Sequence, residues 1–206
     1  MIDPLALSTI CLEKNGSRAG VVMNSVEDLI ARARGGDQSA FGLLFERHAR
    51  PVLGFLYNQV GRRDVAEELT QETFVRAFRG LCEFRDQARF STWLFGIAKN
   101  VAREWTRSID GRRSHSVEID VVAHDVAASS PVDELLGKEL NSILESALQS
   151  LDEDRRAVFT LKVFQQRSYQ EIVEITGFSL AKVKIELHRA RVEMRRCLNV
   201  YLETNR

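Results

Sequence analysis

From Ser25 onward, apolar residues recur at helical spacing in nearly every segment of the chain, separated by short polar or glycine-containing breaks. Val26 to Ala33 is the first such segment, with Ser25 as its N-cap, Asp28 three residues on, and Gly35-Gly36 as its stop. Asp37 or Ser39 caps the next, in which Phe41, Leu44, Phe45 and His48 share a face. Pro51 is expected to begin or kink a further helix with Val52, Phe55, Leu56 and Val60 at core spacing before Gly61. Ala66 to Phe78 opens acidic (Glu67, Glu68, Glu72) and closes basic (Arg76, Arg79), which suits the helix dipole. Leu69, Thr73, Ala77 and Leu81 line its core side. After a short polar loop, another helix mixes Phe90, Trp93 and Phe95 with several cations.

The period is lost from Ser108 to Pro131, where Gly111-Arg112-Arg113-Ser114 and Ala-Ala-Ser-Ser-Pro read as a linker, basic first and acidic later. It returns at Val132, with Leu135, Leu136, Leu140, Ile143, Leu144, Ala147 and Leu151 as a broad stripe. Asp152 can cap the helix of Ala157, Val158, Leu161 and Phe164. Ser168 and Glu171 form a capping box for Tyr169 to Ile175. Thr176-Gly177-Phe178 turns the chain, and Ser179 caps a last helix from Leu180 to about Leu202. A short helix, a glycine turn and a second helix make a helix-turn-helix. The expected fold is therefore all-α. It comprises a flexible extension over 1–24, one small helical domain over 25–107, a flexible linker over 108–131 and a second small domain over 132–206.

Composition narrows the function without naming it. Lys plus Arg and Asp plus Glu are each 29 among 206 residues, so no global excess of positive charge announces nucleic acid, and charge has to be read locally. Cys11, Cys82 and Cys197 are far apart and form no ligand cluster, so free thiols are expected and neither a metal nor a cofactor is. No apolar run approaches the ~18 residues of a membrane span. The first ten residues lack a basic leader, and a cytoplasmic location is expected. His48 has no neighbour with which to bind a metal or do catalysis, and a structural role is expected for it. No paired carboxylates beside a His and no Gly-rich phosphate loop appear, so the chain is not expected to be an enzyme.

Two local patterns do point to DNA. Phe90, Trp93 and Phe95 lie among Arg85, Arg89, Lys99, Arg103 and Arg107. Rings for stacking among cations for phosphates are what unpaired bases require. The same rings equally suit a buried core, and the sequence leaves that choice open. In the last helix, Leu180, Val183, Leu187 and Ala190 fall on the inner face, against Ile172, Val173 and Ile175. Lys182, Ile185, Arg189 and Arg196 fall outside, flanked by Glu186 and His188. Lys182, Lys184, Arg189, Arg191 and Arg195 can neutralise phosphates, while base edges would be read by the early helix.

The run EELTQETFVRAF, followed after a short loop by FSTWLFGIAKN, resembles the conserved second region of bacterial sigma factors, the extracytoplasmic-function (ECF) type most of all. GDQSAFGLLFERHARPVLGFLYNQVG resembles the start of the same region, and SYQEIVEITGFSLAKVKIELHRAR resembles the fourth, which reads the upstream promoter element. The resemblance implies a factor that is not an enzyme, lends promoter specificity to core RNA polymerase and helps open the duplex. It implies that Glu68, Leu69, Gln71, Glu72 and Phe74 dock on the clamp helices of the largest polymerase subunit, with the flap as a second contact. The loop Phe84 to Arg89, with Arg85, Phe90, Trp93 and Asn100, would take a flipped base of the start-proximal element. Arg76, Arg79, Lys99 and Arg103 would hold its backbone. Ser179, Lys182, Lys184, Ile185, Glu186, His188 and Arg189 would meet the upstream element. The resemblance also implies a linker threaded near the polymerase active centre, and it makes an anti-sigma factor a candidate partner.

The sequence departs from the family where a Gly-Thr-Val-Lys/Arg-Ser-Arg string is usual and Ala181-Lys182-Val183-Lys184-Ile185-Glu186 stands instead. Glu186 would repel phosphate, so it is expected to face a cytosine or to lie clear of the backbone, with an atypical upstream element. A sigma-like or ordinary helix-turn-helix regulator brought to DNA by another partner is the alternative, though it leaves Asp64 to Asn100 without a task.

Overall fold

The computed structural model describes residues 25–84, 89–110 and 131–204, and all regular structure among them is helical. The helices are α1 (Val26–Arg34), α2 (Gln38–Val60), α3 (Arg63–Gly80), α4 (Phe90–Asp110), α5 (Pro131–Ser150), α6 (Glu153–Val163), α7 (Tyr169–Thr176) and α8 (Leu180–Thr204). The expected extension over 1–24, most of the expected linker and Arg85 lie outside the described residues.

The caps explain most boundaries. Ser25 Oγ accepts from the Asp28 amide at 3.0 Å, and Asp37 accepts from the amides of Ser39 and Ala40. Of the two residues offered as the cap of α2, it is thus Asp37 that serves. Ser168 and Glu171 complete a capping box at α7, and Gly177 closes that helix in the left-handed conformation at φ 72°. Asp152 precedes α6 without a side-chain cap bond; its carboxylate pairs with Arg155 at 2.9 Å instead. Pro51 neither starts nor ends a helix, since α2 runs through it for 23 residues. Leu44 before it and Val52 and Phe55 after it are buried in one core, and that burial outweighs the amide hydrogen that proline lacks. α4 continues to Asp110 and α5 begins at Pro131, so Ser108 to Asp110 are helical rather than linker. Proline suits the first turn of a helix, where its missing N–H has no intrahelical partner.

Helices α1 to α4 pack around α2 and α3, with Phe55 against Phe95 edge-on at 5.4 Å. Helices α5 to α8 form a second group in which α6 and α8 make the main contact. Val183, Leu187, Ala190 and Met194 are the buried stripe of α8, whereas Leu180, expected on that stripe, is the first residue of the helix and is 44% exposed.

The two groups are docked, a feature the residue pattern does not announce. Helix α2 touches α5 and α6, and α4 touches α7. The last carbonyls of α2, which have no intrahelical donor, are capped by the other group: Gln149 Nε2 donates to Asn58 O at 3.2 Å, and Arg156 donates to Gln59 O. Gly61, at φ 71°, leaves the space that Gln149 occupies; a β-carbon there would stand 2.9 Å from Gln149 Cδ. Between α6 and α7, left-handed Gln166 (φ 52°) precedes Arg167, whose guanidinium lies 4.7 Å from the Phe95 ring centre and donates to Ser91 Oγ at 3.0 Å. The buried side chains of both groups form one continuous cluster from Leu29 to Met194.

Candidate nucleic-acid interface

Helices α3 and α4 enclose a cavity of about 370 Å³ lined by Arg76, Gly80, Glu83, Trp93, Ile97, Asn100 and Glu104. Two of the residues singled out in sequence, Trp93 and Asn100, stand about two helical turns apart along this opening. Gly80 has no side chain, and a β-carbon there would already touch the Trp93 ring at 3.4 Å. The result is an indole wall, an aliphatic floor at Ile97 and an exposed amide that can both donate and accept. Such a lining stacks and hydrogen-bonds a planar heterocycle.

The other expected ring residues fall elsewhere. Phe84 and Phe90 are only 6% and 3% exposed and pack against each other at 5.8 Å, with Trp93 and His48 beside them. They brace the cavity from behind and cannot stack on a base without leaving the core. Arg76 is likewise committed: it pairs with Glu72 at 2.7 Å and with Glu104 at 2.8 Å, tying α3 to α4. Hydrogen bonds to Glu104 and then Glu72 raise its pKa further, while Glu104 is held below the usual carboxylate range by Arg76. Arg79 and Arg89 are exposed. Lys99 and Arg103 are half-buried and point towards the C-terminal helices. Sequence reading missed Gly80, Ile97, Glu83 and Glu104 as cavity residues. The Glu72–Arg76 spacing of four was a visible hint that Arg76 was already partnered.

On α3, Glu68 and Gln71 are exposed and available to a partner, while Glu72, partly exposed, is paired with Arg76. Leu69 and Phe74 are not: both are buried, because positions 66, 69, 70, 73, 74 and 77 form the core stripe of α3. The apolar groups that do reach solvent beside them are Phe45, edge-on to Phe74 at 4.7 Å, and Phe78, edge-on to Phe41 at 5.0 Å.

On α8, Ser179 Oγ accepts from the Lys182 amide at 3.2 Å, and Lys184, Ile185, His188 and Arg189 are exposed. Lys182 is held at 2.7 Å by Asp154 and stands 3.6 Å from the Phe178 ring centre. Glu186 is 13% exposed on its side chain and pairs with Arg155 at 3.0 Å and Arg189 at 3.4 Å. The carboxylate expected to face a cytosine or to lie clear of the DNA backbone is thus held between two arginines of its own helix group.

An all-helical pair of groups, the second ending in a helix-turn-helix with an exposed basic head, defines a DNA-binding protein class. Models of sigma-70 region 2 and sigma-70 region 4 match residues 44–112 and 142–194. The chain is 33% identical over 171 residues to the ECF RNA polymerase sigma-E factor of Haemophilus influenzae, covering 79% of this chain and 89% of that protein. Against the sigma-E factor of Escherichia coli the identity is also 33% over 171 residues, with 79% and 88% covered. Among solved structures, CnrH in complex with the cytosolic domain of CnrY is similar at TM-score 0.61 and 26% identity, over 84% of this chain and 96% of that one. The sigma factor RpoE in complex with the anti-sigma factor NepR, from Bartonella quintana, has the same fold at TM-score 0.64 and 23% identity, over 78% and 97%. The chain belongs to the ECF sigma factors, which direct RNA polymerase to promoters. Among the described residues no helix is long and apolar enough to cross a membrane.

Proposed function

We propose that residues 25–107 bind core polymerase and open the start-proximal promoter element, and that residues 132–206 read the upstream element, with 108–131 between them. The cavity of Trp93, Ile97 and Asn100 carries this reading. It takes one unstacked base, with Asn100 reading its edge and Trp93 supplying a ring face; extrusion costs a few kcal/mol that this contact offsets. Lys99, Arg103, Arg79 and Arg89 hold the adjoining phosphates without reading sequence. Glu68, Gln71 and Glu72, with Phe45 and Phe78 beside them, form a mixed acidic and apolar surface suited to a basic coiled coil, and core polymerase is the partner. On α8, Lys184, His188 and Arg189 anchor to phosphates or guanine, and Ile185, 49% exposed, is placed for a thymine methyl. The factor does no catalysis of its own and works in the cytoplasm. An anti-sigma factor is a partner by analogy with the complex of the sigma factor RpoE with the anti-sigma factor NepR.

The test is transcription by holoenzyme on a randomised promoter library, with open complexes followed by permanganate reactivity. Asn100→Ala and Trp93→Ala should each lower opening by about tenfold or more, on the scale of ~1–3 kcal/mol for a stacked base, and should leave polymerase binding intact. Unchanged opening in both variants would remove the cavity from the mechanism.

A further inference from the structure

One side of the base cavity is built on the short stretch that leaves α3. Glu83 lines the opening, and the buried Phe84 ring stands 4.9 Å from that of Trp93. The stretch is turned tightly on itself: the amides of Glu83 and Phe84 both donate to the Gly80 carbonyl, at 3.0 and 3.1 Å. Carbonyls at and just past a helix end are short of N–H partners, and a cation there suits the dipole. Two of them are met by one side chain of α1. Arg34 Nε donates to Leu81 O at 3.1 Å and Nη2 donates to Phe84 O, while the guanidinium lies 5.6 Å from the centre of the Phe84 ring. A basic residue in the last turn of α1 would suit that helix's own dipole without reaching anything else. Arg34 instead reaches 47 and 50 positions along the chain. Its footing is firm. Leu29, Ile30 and Ala33 are buried where α1 packs on α2, and Arg32 donates twice to Asp37, at 3.0 and 2.7 Å, which fixes the turn between the two helices.

We propose that Arg34 is a positioning residue for base capture. It keeps the Leu81–Phe84 stretch, and through the Phe84 ring the Trp93 indole, in the shape that receives an unpaired base. It acts through these residues and not on DNA. A planar fork that spans two carbonyls and a ring stiffens the stretch before the base arrives, so its ordering is already complete at the moment of capture. Without the fork, each capture would have to order the stretch as well as unstack the base. A wall displaced by even 1 Å makes poorer contact with a stacked ring. The inference rests on the reading of the cavity as the base site.

The test uses holoenzyme on a promoter chosen from the randomised library, with 2-aminopurine in the start-proximal element, whose fluorescence rises as stacking is lost. Arg34→Met should lower opening about tenfold, the scale of one lost hydrogen bond from a charged donor, and should leave polymerase affinity as in wild type. Arg34→Lys keeps the charge and can still donate to the carbonyls, so its opening should come back to within about threefold of wild type. Phe84→Leu cuts the link to Trp93. Added to Arg34→Met it should deepen the loss by less than about twofold, because both break one chain of contacts. Arg156→Met controls for lost stability: its side chain lines no part of the cavity, and its holoenzyme should open promoters as wild type does. Arg34→Gln stands in if the methionine chain does not fold. Wild-type opening without the Arg34 fork overturns the proposal. So does an equal fall in Arg156→Met, a lysine variant no better than the methionine one, or a double variant whose losses multiply. Unchanged opening in Trp93→Ala and Asn100→Ala would instead remove the cavity itself, and the two failures are told apart.

Discussion

Replacing Arg156 with Met keeps the length of the side chain and removes every hydrogen bond it donates. The guanidinium reaches the carbonyls of Gln59, Gln149 and Leu151 and the Gln149 side-chain oxygen. These carbonyls end α2 and the stretch leaving α5, so one side chain supplies donors that two helix termini lack. Burial lowers the Arg156 pKa, ahead of the opposing pull of Glu153 and Asp152, yet the group stays charged at any pH of interest. A hydrogen bond from a charged donor contributes ~1.5–3 kcal/mol. Against four such bonds stand the guanidinium desolvation that Met avoids and the water that reaches a half-buried site. The balance is a loss of about 3 kcal/mol for Arg156→Met. In a chain of this size that shifts Tm by roughly 6–12 °C. Lys, with one compact ammonium in place of a planar fork, should recover about a third of it. Urea unfolding followed by circular dichroism reads the difference. Stability of Arg156→Met within about 0.5 kcal/mol of wild type, the range of an ordinary surface change, would refute the account.

Three further outcomes can be checked. His48 lies beside Phe90 and is partly buried; burial first, then the charges of Arg47 and Arg167, bring its pKa down to about 4 from 6.5. The unfolded chain takes up the proton first, so this stabilisation is complete above about pH 6.5 and fades as the pH falls towards 4; thermal melts of His48→Gln should show a flatter acid limb than wild type. Gly61→Ala and Gly177→Ala both force a β-carbon into φ above 70°, but only at Gly61 would it also meet a neighbour, at 2.9 Å. Each should lose about 1–2 kcal/mol from backbone strain, with Gly61→Ala the worse of the two in chemical denaturation. Ser168→Ala should lose about 1 kcal/mol, seen as faster amide exchange in α7, because it breaks the capping box.

The helices were legible wherever a cap coincided with a change of period. Ser25, Asp37, Ser168 and Gly177 stand at helix ends where their chemistry places them. Pro51 misled because proline carries a local rule only, and burial on both sides of it overrode that rule. At the interface, helical period placed Trp93 and Asn100 but could not separate the base-facing ring from the bracing ones. Phe84 and Phe90 have the same composition around them as Trp93, and only the tertiary packing of α1 and α2 buries them. Glu186 was legible as an anomaly, but its partner Arg155 is 31 positions away, and a pairing across that distance leaves no trace in periodicity. The docking of the two helix groups was hidden for the same reason. It depends on Arg156, Gln149 and Arg167, three polar residues that any surface helix could carry.

The unbroken apolar cluster running from Leu29 to Met194 sets a condition on the whole molecule. Parting the helix groups uncovers greasy surface on both, and uncovered grease in water invites clumping. Any partner that drew the two groups apart would have to cover that surface as it did so, or the chain would stick to its own copies.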